Sequence, residues 1–282
     1  MRNTKIFRDL PQIFLSFICS LVLFFFLVIV SLKMTLANEK FMIAESQKVS
    51  YAKGLQTEIN QQIQDIGRGS NIPPEKLKAV IPLKFVQKNV EFYMTSIYEE
   101  VPFKLIETSF ITQTLHLTLE KYAQESGLPI ANEASEKAFE VAVLDVVQQY
   151  VAPPYLLTYA QKVMRYQSTL TLITIIVGVF LLLVTIMLMT LRVVARHIRF
   201  RIFAYVFSGS GLMLLVFPAY LYFSGKVQRI GLSSKIMYQF FKQYISDFLL
   251  NFIYIGGLCL LVSVFLWLVS ENLRRRVVRT RG

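Results

Sequence analysis

The chain has 282 residues, of which 54% are hydrophobic and 17% are charged, and its net charge is +12. Soluble domains usually contain about 25% charged residues, so the composition argues against a soluble protein and indicates a membrane protein. The positive charge does not indicate nucleic-acid binding, because most of it lies beside long apolar segments without a folded basic domain.

Four segments contain no Asp, Glu, Lys or Arg over more than 20 residues. A helix rises about 1.5 Å per residue, so about 20 residues cross a hydrocarbon core of roughly 30 Å. Backbone groups in lipid must be satisfied within the segment, which favours helices. We therefore predict an all-α integral membrane protein with four transmembrane helices and a helical extracytoplasmic domain between spans one and two. The predicted spans are residues 10–32, 166–191, 202–225 and 248–270.

The first apolar segment has a basic start and a passable signal-peptidase site at Thr35-Leu36-Ala37. Its uncharged stretch, residues 10–32, is longer than the 7–15 residues typical of a signal core. We therefore predict an uncleaved membrane anchor.

The charged flanks predict the orientation. Residues 1–9 have a net charge of +2, and residues 192–201 and 271–282 have +4 each. Basic flanks face the cytoplasm, so both termini and the loop at 192–201 are predicted to be cytoplasmic. The segment 33–165, with 14 basic and 15 acidic residues, and the +3 segment 226–247 are predicted to lie outside.

The predicted outer domain, residues 33–165, has a helical pattern. Residues 36–66 contain no proline and one glycine, which predicts a stalk that continues the first span. Pro73 and Pro74 then open a short helix that Pro82 ends, since proline suits the first turn of a helix. Apolar stripes follow at helical spacing, and a last helix after Pro153-Pro154 leads to span two. The stripes are interpreted as a core, and a ligand groove or partner-binding face remains the alternative. They comprise Phe85, Val86, Val90, Tyr93 and Ile97; Ile111, Leu115, Leu119 and Tyr122; and Phe139, Val143, Val146, Val147 and Tyr150.

The second outer segment, residues 226–247, is amphipathic. It either lies in the membrane interface or lengthens the fourth span outward.

Motifs for catalysis, metals and nucleotides are absent from the sequence. The four predicted spans hold no ionisable Asp, Glu, Lys, Arg or His, which argues against a proton-coupled transporter acting alone. Neither HExxH nor Cys-x-x-Cys occurs, and no Gly-x-Ser-x-Gly exposes a nucleophile. We expect no catalytic residue, no cofactor and no metal site, and we interpret His116 as a helix-surface or packed residue. The two cysteines, Cys19 and Cys259, both lie in apolar segments, so no disulfide framework is predicted for the outer domain.

Two sets of residues are candidates for contacts in and beside the membrane. Small residues let transmembrane helices approach closely, so those in spans three and four are predicted to pack within the bundle; a homo-oligomer contact or a lipid path is the alternative. They are Ala204, Ser208, Gly209, Gly211, Gly256 and Gly257. The arginines of the C-terminal flank resemble a juxtamembrane cluster that contacts anionic membrane lipids, or they only fix the topology. They are Arg274, Arg275, Arg276, Arg279 and Arg281.

One stretch carries a resemblance to a family. The sequence Asn71-Ile72-Pro73-Pro74-Glu75-Lys76-Leu77, followed by Val86–Tyr98, resembles uncharacterised multipass membrane proteins of Gram-positive bacteria with a helical extracytoplasmic domain. This resemblance implies a bacterial plasma membrane and no particular activity.

The order of one span, a large outer segment and three further spans is similar to that of ABC-family permeases that act in cell division or export. Those permeases usually have strands in the outer domain and a longer cytoplasmic start, which this chain lacks. The leading hypothesis is a non-enzymatic plasma-membrane protein whose outer domain senses, scaffolds or binds an envelope partner. The alternative is a permease subunit that works with a separate ATPase, and an enzyme acting on lipid or cell-wall precursors ranks third.

Overall fold

The computed structural model describes residues 3–70, 72–126, 133–153, 165–190, 196–229 and 234–279. Within these residues the regular structure is entirely helical. Short 3-10 turns occupy Pro74–Leu77 and Lys226–Arg229. The α-helices are α1 (Asn3–Met34), α2 (Glu39–Lys48), α3 (Tyr51–Gly69), α4 (Leu83–Glu99), α5 (Thr108–Ser126), α6 (Glu133–Val151), α7 (Gln167–Thr190), α8 (Arg196–Phe223) and α9 (Lys235–Arg279).

Four helices are long enough and apolar enough to cross a membrane: α1, α7, α8 and α9. The predicted all-helical class with four candidate spans is therefore confirmed. Three of these helices extend well beyond the uncharged stretches. Helix α1 begins at Asn3, seven residues before the first stretch. Helix α8 begins at Arg196 and includes much of the basic segment 192–201. Helix α9 has 45 residues and starts at Lys235, so most of the amphipathic segment 226–247 lengthens the fourth helix.

The chain divides into two compact units. The span unit comprises residues 1–38, 167–231 and 242–282, and the helical domain comprises residues 39–166 and 232–241. Residues 232–241, which are part of the second predicted outer segment, belong to the helical domain, and the same helix, α9, continues from them into the span unit.

In the span unit, α1 packs along both α7 and α8. A buried apolar cluster joins the middle of α1 to the end of α7 and the start of α8; it comprises Leu15, Cys19, Leu23, Val184, Leu188, Ile202 and Val206. At the opposite end of α1, the Nζ of Lys33 donates to the Oγ1 of Thr171 at 3.1 Å, and the Nδ2 of Asn251 donates to the Oγ of Ser31 at 2.6 Å.

The end of α9 lies beside the start of α8 in the span unit. The Oγ of Ser270 donates to the carbonyl oxygen of His197 at 2.6 Å, near the start of α8. The start of α1, the start of α8 and the end of α9 therefore lie at the same end of this unit. These are the elements that carry the three arginine-rich flanks.

In the helical domain, α3 packs against α4, α6 and the Pro74–Leu77 turn. The apolar side chains of α3 at Leu55, Ile59 and Ile63 are fully buried. Most residues of the predicted stripes of α4 to α6 are also buried, and α5 packs against α6 and the Pro74–Leu77 turn. The buried residues are Phe85, Val86, Val90, Tyr93 and Ile97, then Ile111 and Leu115, then Phe139, Val143 and Val147. Leu119, Tyr122, Val146 and Tyr150 are partly buried. Burial of such side chains contributes about 1.5–3 kcal/mol each, so this core holds the domain together.

The predicted stalk over residues 36–66 is wrong. Helix α1 ends at Met34, and a second break follows at Ser50, which adopts the left-handed conformation with φ 52°. A non-glycine residue at positive φ is uncommon because its Cβ crowds the backbone. Burial of the Leu55 side of α3 offsets that cost, and the break lets α3 turn its apolar face into the core.

Two buried asparagines hold loop backbone in place. The Oδ1 of Asn60 accepts from the Ile81 N–H at 3.2 Å, and its Nδ2 donates to the Ile81 carbonyl at 3.3 Å. Asn89 does the same for both peptide groups of Ile106, at 2.9 and 3.3 Å. Each asparagine satisfies two backbone groups that would be costly to bury unpaired. The predicted helix after Pro153-Pro154 begins outside the described residues.

Candidate functional site

Helix α3 holds the beginning of α9 within the helical domain. At Gly54 the missing side chain leaves a notch, and an added Cβ would lie 2.3 Å from the Cγ1 of Ile236. The ring of Tyr51 lies beside Phe240, with 5.0 Å between centroids. Ile236 and Phe240 are both buried. We call this packing of Tyr51, Gly54 and Glu58 against the start of α9 the α3 clasp.

Glu58 adds an electrostatic contact to the α3 clasp. Its Oε1 accepts a hydrogen bond from the Ile236 backbone N–H at 3.2 Å. Ile236 is the second residue of α9, and the first N–H groups of a helix have no partner within the helix. The positive end of the helix dipole also favours a nearby carboxylate. The clasp therefore specifies where α9 begins, as well as what it packs against.

A polar groove of about 500 Å³ lies along α3 and the segment at Lys78 and Ala79. Gln56 and Asn60 line it, but their amides are bonded to the Ile81 carbonyl. The remaining lining is Thr57, Gln61, Gln64, Asp65, Arg68 and Lys78, with Arg68 paired to Asp65 at 2.9 Å. The groove thus offers side-chain amides, one ion pair and a lysine. It suits a polar ligand with hydrogen-bonding groups and has no arrangement that points to catalysis.

The groove and the α3 clasp use neighbouring faces of one helix. Residues three or four apart lie on the same side of a helix, so Glu58 of the clasp adjoins Gln61 of the groove. A ligand in the groove would therefore contact the helix that holds α9.

His116 lies on the surface between α5 and α6. Its Nδ1 is 2.5 Å from the Oε1 of Glu136, and its Nε2 is 3.3 Å from the Oε1 of Glu120. The hydrogen bond with Glu136 raises the pKa of His116, and the charges of Glu120, Glu136 and Glu140 raise it further. Of the two positions that the sequence left open for His116, the structure has the surface position, with 52% of the side chain exposed. Among the described residues, no group of three or more His, Cys, Asp or Glu is placed to hold a metal ion.

The six small residues of the span unit fall into different environments. Gly211 and Gly256 meet where α8 crosses α9, and a Cβ on either would lie 2.9 Å from the carbonyl oxygen of the other. Ala204 is buried, and its carbonyl accepts from the Oγ of Ser263 at 2.7 Å. A Cβ at Gly209 would meet the Oγ of Ser20 on α1 at 2.5 Å.

Ser208 and Gly257 show no such close contact between helices. Ser208 is partly buried, and an added Cβ at Gly257 would meet nothing within 4 Å. Close helix approach therefore involves Gly209, Gly211 and Gly256. Gly257 lies on an open face of α9.

The C-terminal arginines surround one acid. Glu271 accepts from the Nη2 of Arg274 at 2.7 Å and from the Nε of Arg275 at 3.3 Å. The Nη2 of Arg201, on α8, lies 3.6 Å from the other carboxylate oxygen of Glu271. Arg276 is exposed. The side chain of Arg279 and all of Arg281 lie outside the part of the chain that the structure describes.

The α3 clasp and the groove were not predicted from the sequence. Tyr51, Gly54 and Glu58 fell inside the predicted stalk, and their partners fell inside a predicted loop. The one available signal was the single glycine in that stretch, since an isolated glycine within a helical pattern often marks close packing.

Comparison with protein-family models, curated proteins and solved structures found no match for this chain.

Proposed function

We propose that this chain is a non-enzymatic multipass protein of a bacterial plasma membrane, whose helical domain binds an envelope partner outside the cytoplasm. Binding would be relayed to the membrane through α9. The observation that carries this proposal is the α3 clasp on a helix that starts in the helical domain and continues into the span unit. Helix α9 is continuous from Lys235 to Arg279, so the residues that α3 holds and the fourth candidate span belong to one helix.

The groove on α3 is the proposed binding site for the envelope partner. Its free polar groups are Gln61, Gln64 and Lys78, which suit hydrogen bonds to a polar partner. Because these residues lie beside the α3 clasp, a bound partner would change how α3 holds Ile236 and Phe240. Coupling of this kind requires that the partner bind one arrangement of the clasp more tightly than another.

The charge distribution supports the proposed orientation. The three arginine-rich flanks occur at one end of the span unit, where His197 meets Ser270. Basic flanks of membrane spans favour the cytoplasm. With that end inside, the chain segments that lead into the helical domain leave from the opposite side of the membrane. Both termini are then cytoplasmic.

Co-purification tests the proposed function directly. Intact cells that express the tagged full-length protein are treated with a membrane-impermeant cross-linker, solubilised in mild detergent and analysed by mass spectrometry. We expect envelope proteins to be captured, and we expect the capture to decrease in a variant with Gln61→Ala and Gln64→Ala. The matched control is Gln124→Ala, an exposed glutamine on α5.

Two outcomes of the co-purification experiment would contradict the proposal. If the groove variant captures as much envelope protein as the wild type, the result would contradict binding through α3. A stoichiometric ATPase in the purified complex would contradict the sensor or scaffold proposal and make the chain a permease subunit.

Cysteine labelling tests the orientation separately. Single cysteines replace Gln124 and Thr280 in a chain with Cys19→Ala and Cys259→Ala. A membrane-impermeant thiol reagent should label position 124 in intact cells and leave position 280 unlabelled until the cells are opened. The opposite pattern would refute the proposed topology.

A further inference from the structure

The start of α8 and the end of α9 form one basic surface on the span unit. The hydrogen bond from Ser270 to His197 and the approach of Arg201 to Glu271 bring the two helix ends together. We call this surface the basic end. Its arginines are Arg196, Arg199, Arg201, Arg274, Arg275 and Arg276.

The basic end has a large excess of positive charge. Glu271 is the single acidic residue in segments 196–201 and 270–276, against six arginines. Glu271 lies between Arg201, Arg274 and Arg275 and is only 14% exposed. Arg274 and Arg275 keep 53% and 76% of their side chains exposed, so their guanidinium groups can bind a further anion. Like charges held this close together repel one another unless counter-ions or bound anions neutralise them.

Apolar side chains border the basic end along α9. Trp267 and Leu268 are exposed just before Arg274, and Val277 and Val278 are exposed just after Arg276. Tryptophan is enriched where a transmembrane helix meets the lipid headgroups. With Trp267 at that boundary, the arginines two turns further along α9 would be level with the lipid phosphates. A planar guanidinium can donate two parallel hydrogen bonds to a phosphate.

We propose that the basic end binds the headgroups of anionic phospholipids in the bilayer that surrounds the spans. Glu271 is a positioning residue that holds Arg201 and Arg274 of two different helices around one carboxylate. The lipid phosphate contacts the exposed faces of Arg274 and Arg275. This inference depends on the charge and the apolar border of the span unit, and it is independent of the partner of the helical domain.

Fluorescence quenching tests this inference, because Trp267 is the single tryptophan of the chain. It lies about 10 Å along the helix axis from Arg274. The full-length protein is reconstituted into vesicles in which brominated phosphatidylglycerol or brominated phosphatidylcholine replaces part of the lipid. Quenching gives the binding constant of each lipid at Trp267 relative to phosphatidylcholine.

We expect phosphatidylglycerol to bind several-fold more strongly than phosphatidylcholine. Each arginine near an anionic surface contributes about fivefold to binding, so Arg274→Gln with Arg275→Gln should abolish most of the preference. The matched control is Lys84→Gln with Lys104→Gln, which removes the same charge from exposed positions of the helical domain. Raising the salt concentration to about 0.5 M should weaken the preference through screening.

Three results would overturn the inference. These are equal quenching by the two brominated lipids, a preference that survives the double arginine substitution, and a preference that the control variant loses equally. Inorganic phosphate is added in a parallel sample at about 10 mM, far above the anion concentration at which weak single-site contacts saturate. Loss of the preference there would show that the surface binds free phosphate rather than lipid.

Discussion

Replacing Gly54 by alanine should weaken the attachment of α9 to the helical domain. The added Cβ would lie 2.3 Å from the Cγ1 and 2.5 Å from the Cδ1 of Ile236, and 2.9 Å from its Cβ. Rotation of the Ile236 side chain can move Cγ1 and Cδ1 but leaves Cβ in place. The backbone at the start of α9 must therefore shift away from α3.

Two effects of opposite sign determine how much Gly54→Ala changes the free energy of opening at the start of α9. Overpacking of a tight contact costs about 1–3 kcal/mol. Alanine in place of glycine within a helix gains about 1 kcal/mol. The control is Gly69→Ala at the other end of α3, where an added Cβ meets nothing within 4 Å. Relative to that control, Gly54→Ala should lower the local free energy of opening by about 1–3 kcal/mol.

Hydrogen exchange in detergent measures this opening locally, which avoids the assumption that a membrane protein unfolds in one step. Amides of residues 236–241 should exchange about tenfold faster for each 1.4 kcal/mol of lost protection. Ile236→Ala alone should cost about 2–5 kcal/mol, and Gly54→Ala should cost less in that background, because only the contact with the Ile236 Cβ at 2.9 Å remains. Unchanged exchange in Gly54→Ala, or additive effects in the double variant, would refute the packing of Gly54 on Ile236.

Three further predictions concern other parts of the chain. Gly211→Ala should destabilise the span unit by about 1–3 kcal/mol, because its Cβ would meet the carbonyl oxygen of Gly256 at 2.9 Å. Thermal unfolding in detergent should show no comparable loss of stability for Gly257→Ala. Equal effects of the two substitutions would contradict the helix crossing. Asn89→Leu should cost about 1–3 kcal/mol by leaving both peptide groups of Ile106 unpaired, and wild-type protection of this loop in hydrogen exchange would contradict that role. The pKa of His116 is raised above 6.5, so its stabilising contribution is present at low pH and is lost as the pH rises through the raised pKa. The melting temperature of the wild type should therefore fall relative to that of His116→Gln over that pH range. Parallel pH profiles of the two melting temperatures would refute the linkage.

Much of the helical architecture follows from local properties of the sequence. Uncharged stretches of more than 20 residues predict membrane helices because lipid cannot hydrogen-bond to an exposed backbone. The second span shows this well, since residues 166–191 were predicted and α7 runs from Gln167 to Thr190. Proline also precedes helices here, as its ring fixes φ and removes a donor: Pro73 lies before the Pro74–Leu77 turn and Pro82 lies before α4. The short helix that Pro82 was predicted to end stops earlier, at Leu77.

The ends of the other helices were less predictable. Ser50 breaks the predicted stalk although it is neither glycine nor proline, because the break allows Leu55 and Ile59 to enter the core. The amphipathic pattern of residues 226–247 was compatible with two arrangements, and its contacts with α3 decided between them. A pattern along the chain shows that a face is apolar but does not identify the surface that covers it.

The sequence by itself therefore determined the all-helical class, the four apolar helices, the apolar stripes of the helical domain and the position of the basic flanks. Each of these depends on residues close together in the chain and on their transfer between water and an apolar phase. Only the tertiary structure decided that Gly54 and Glu58 hold the start of α9, that Gly211 meets Gly256, and that Glu271 joins arginines from two helices. These contacts unite residues far apart in the chain, and their energies depend on distances of a few ångströms that no local pattern specifies.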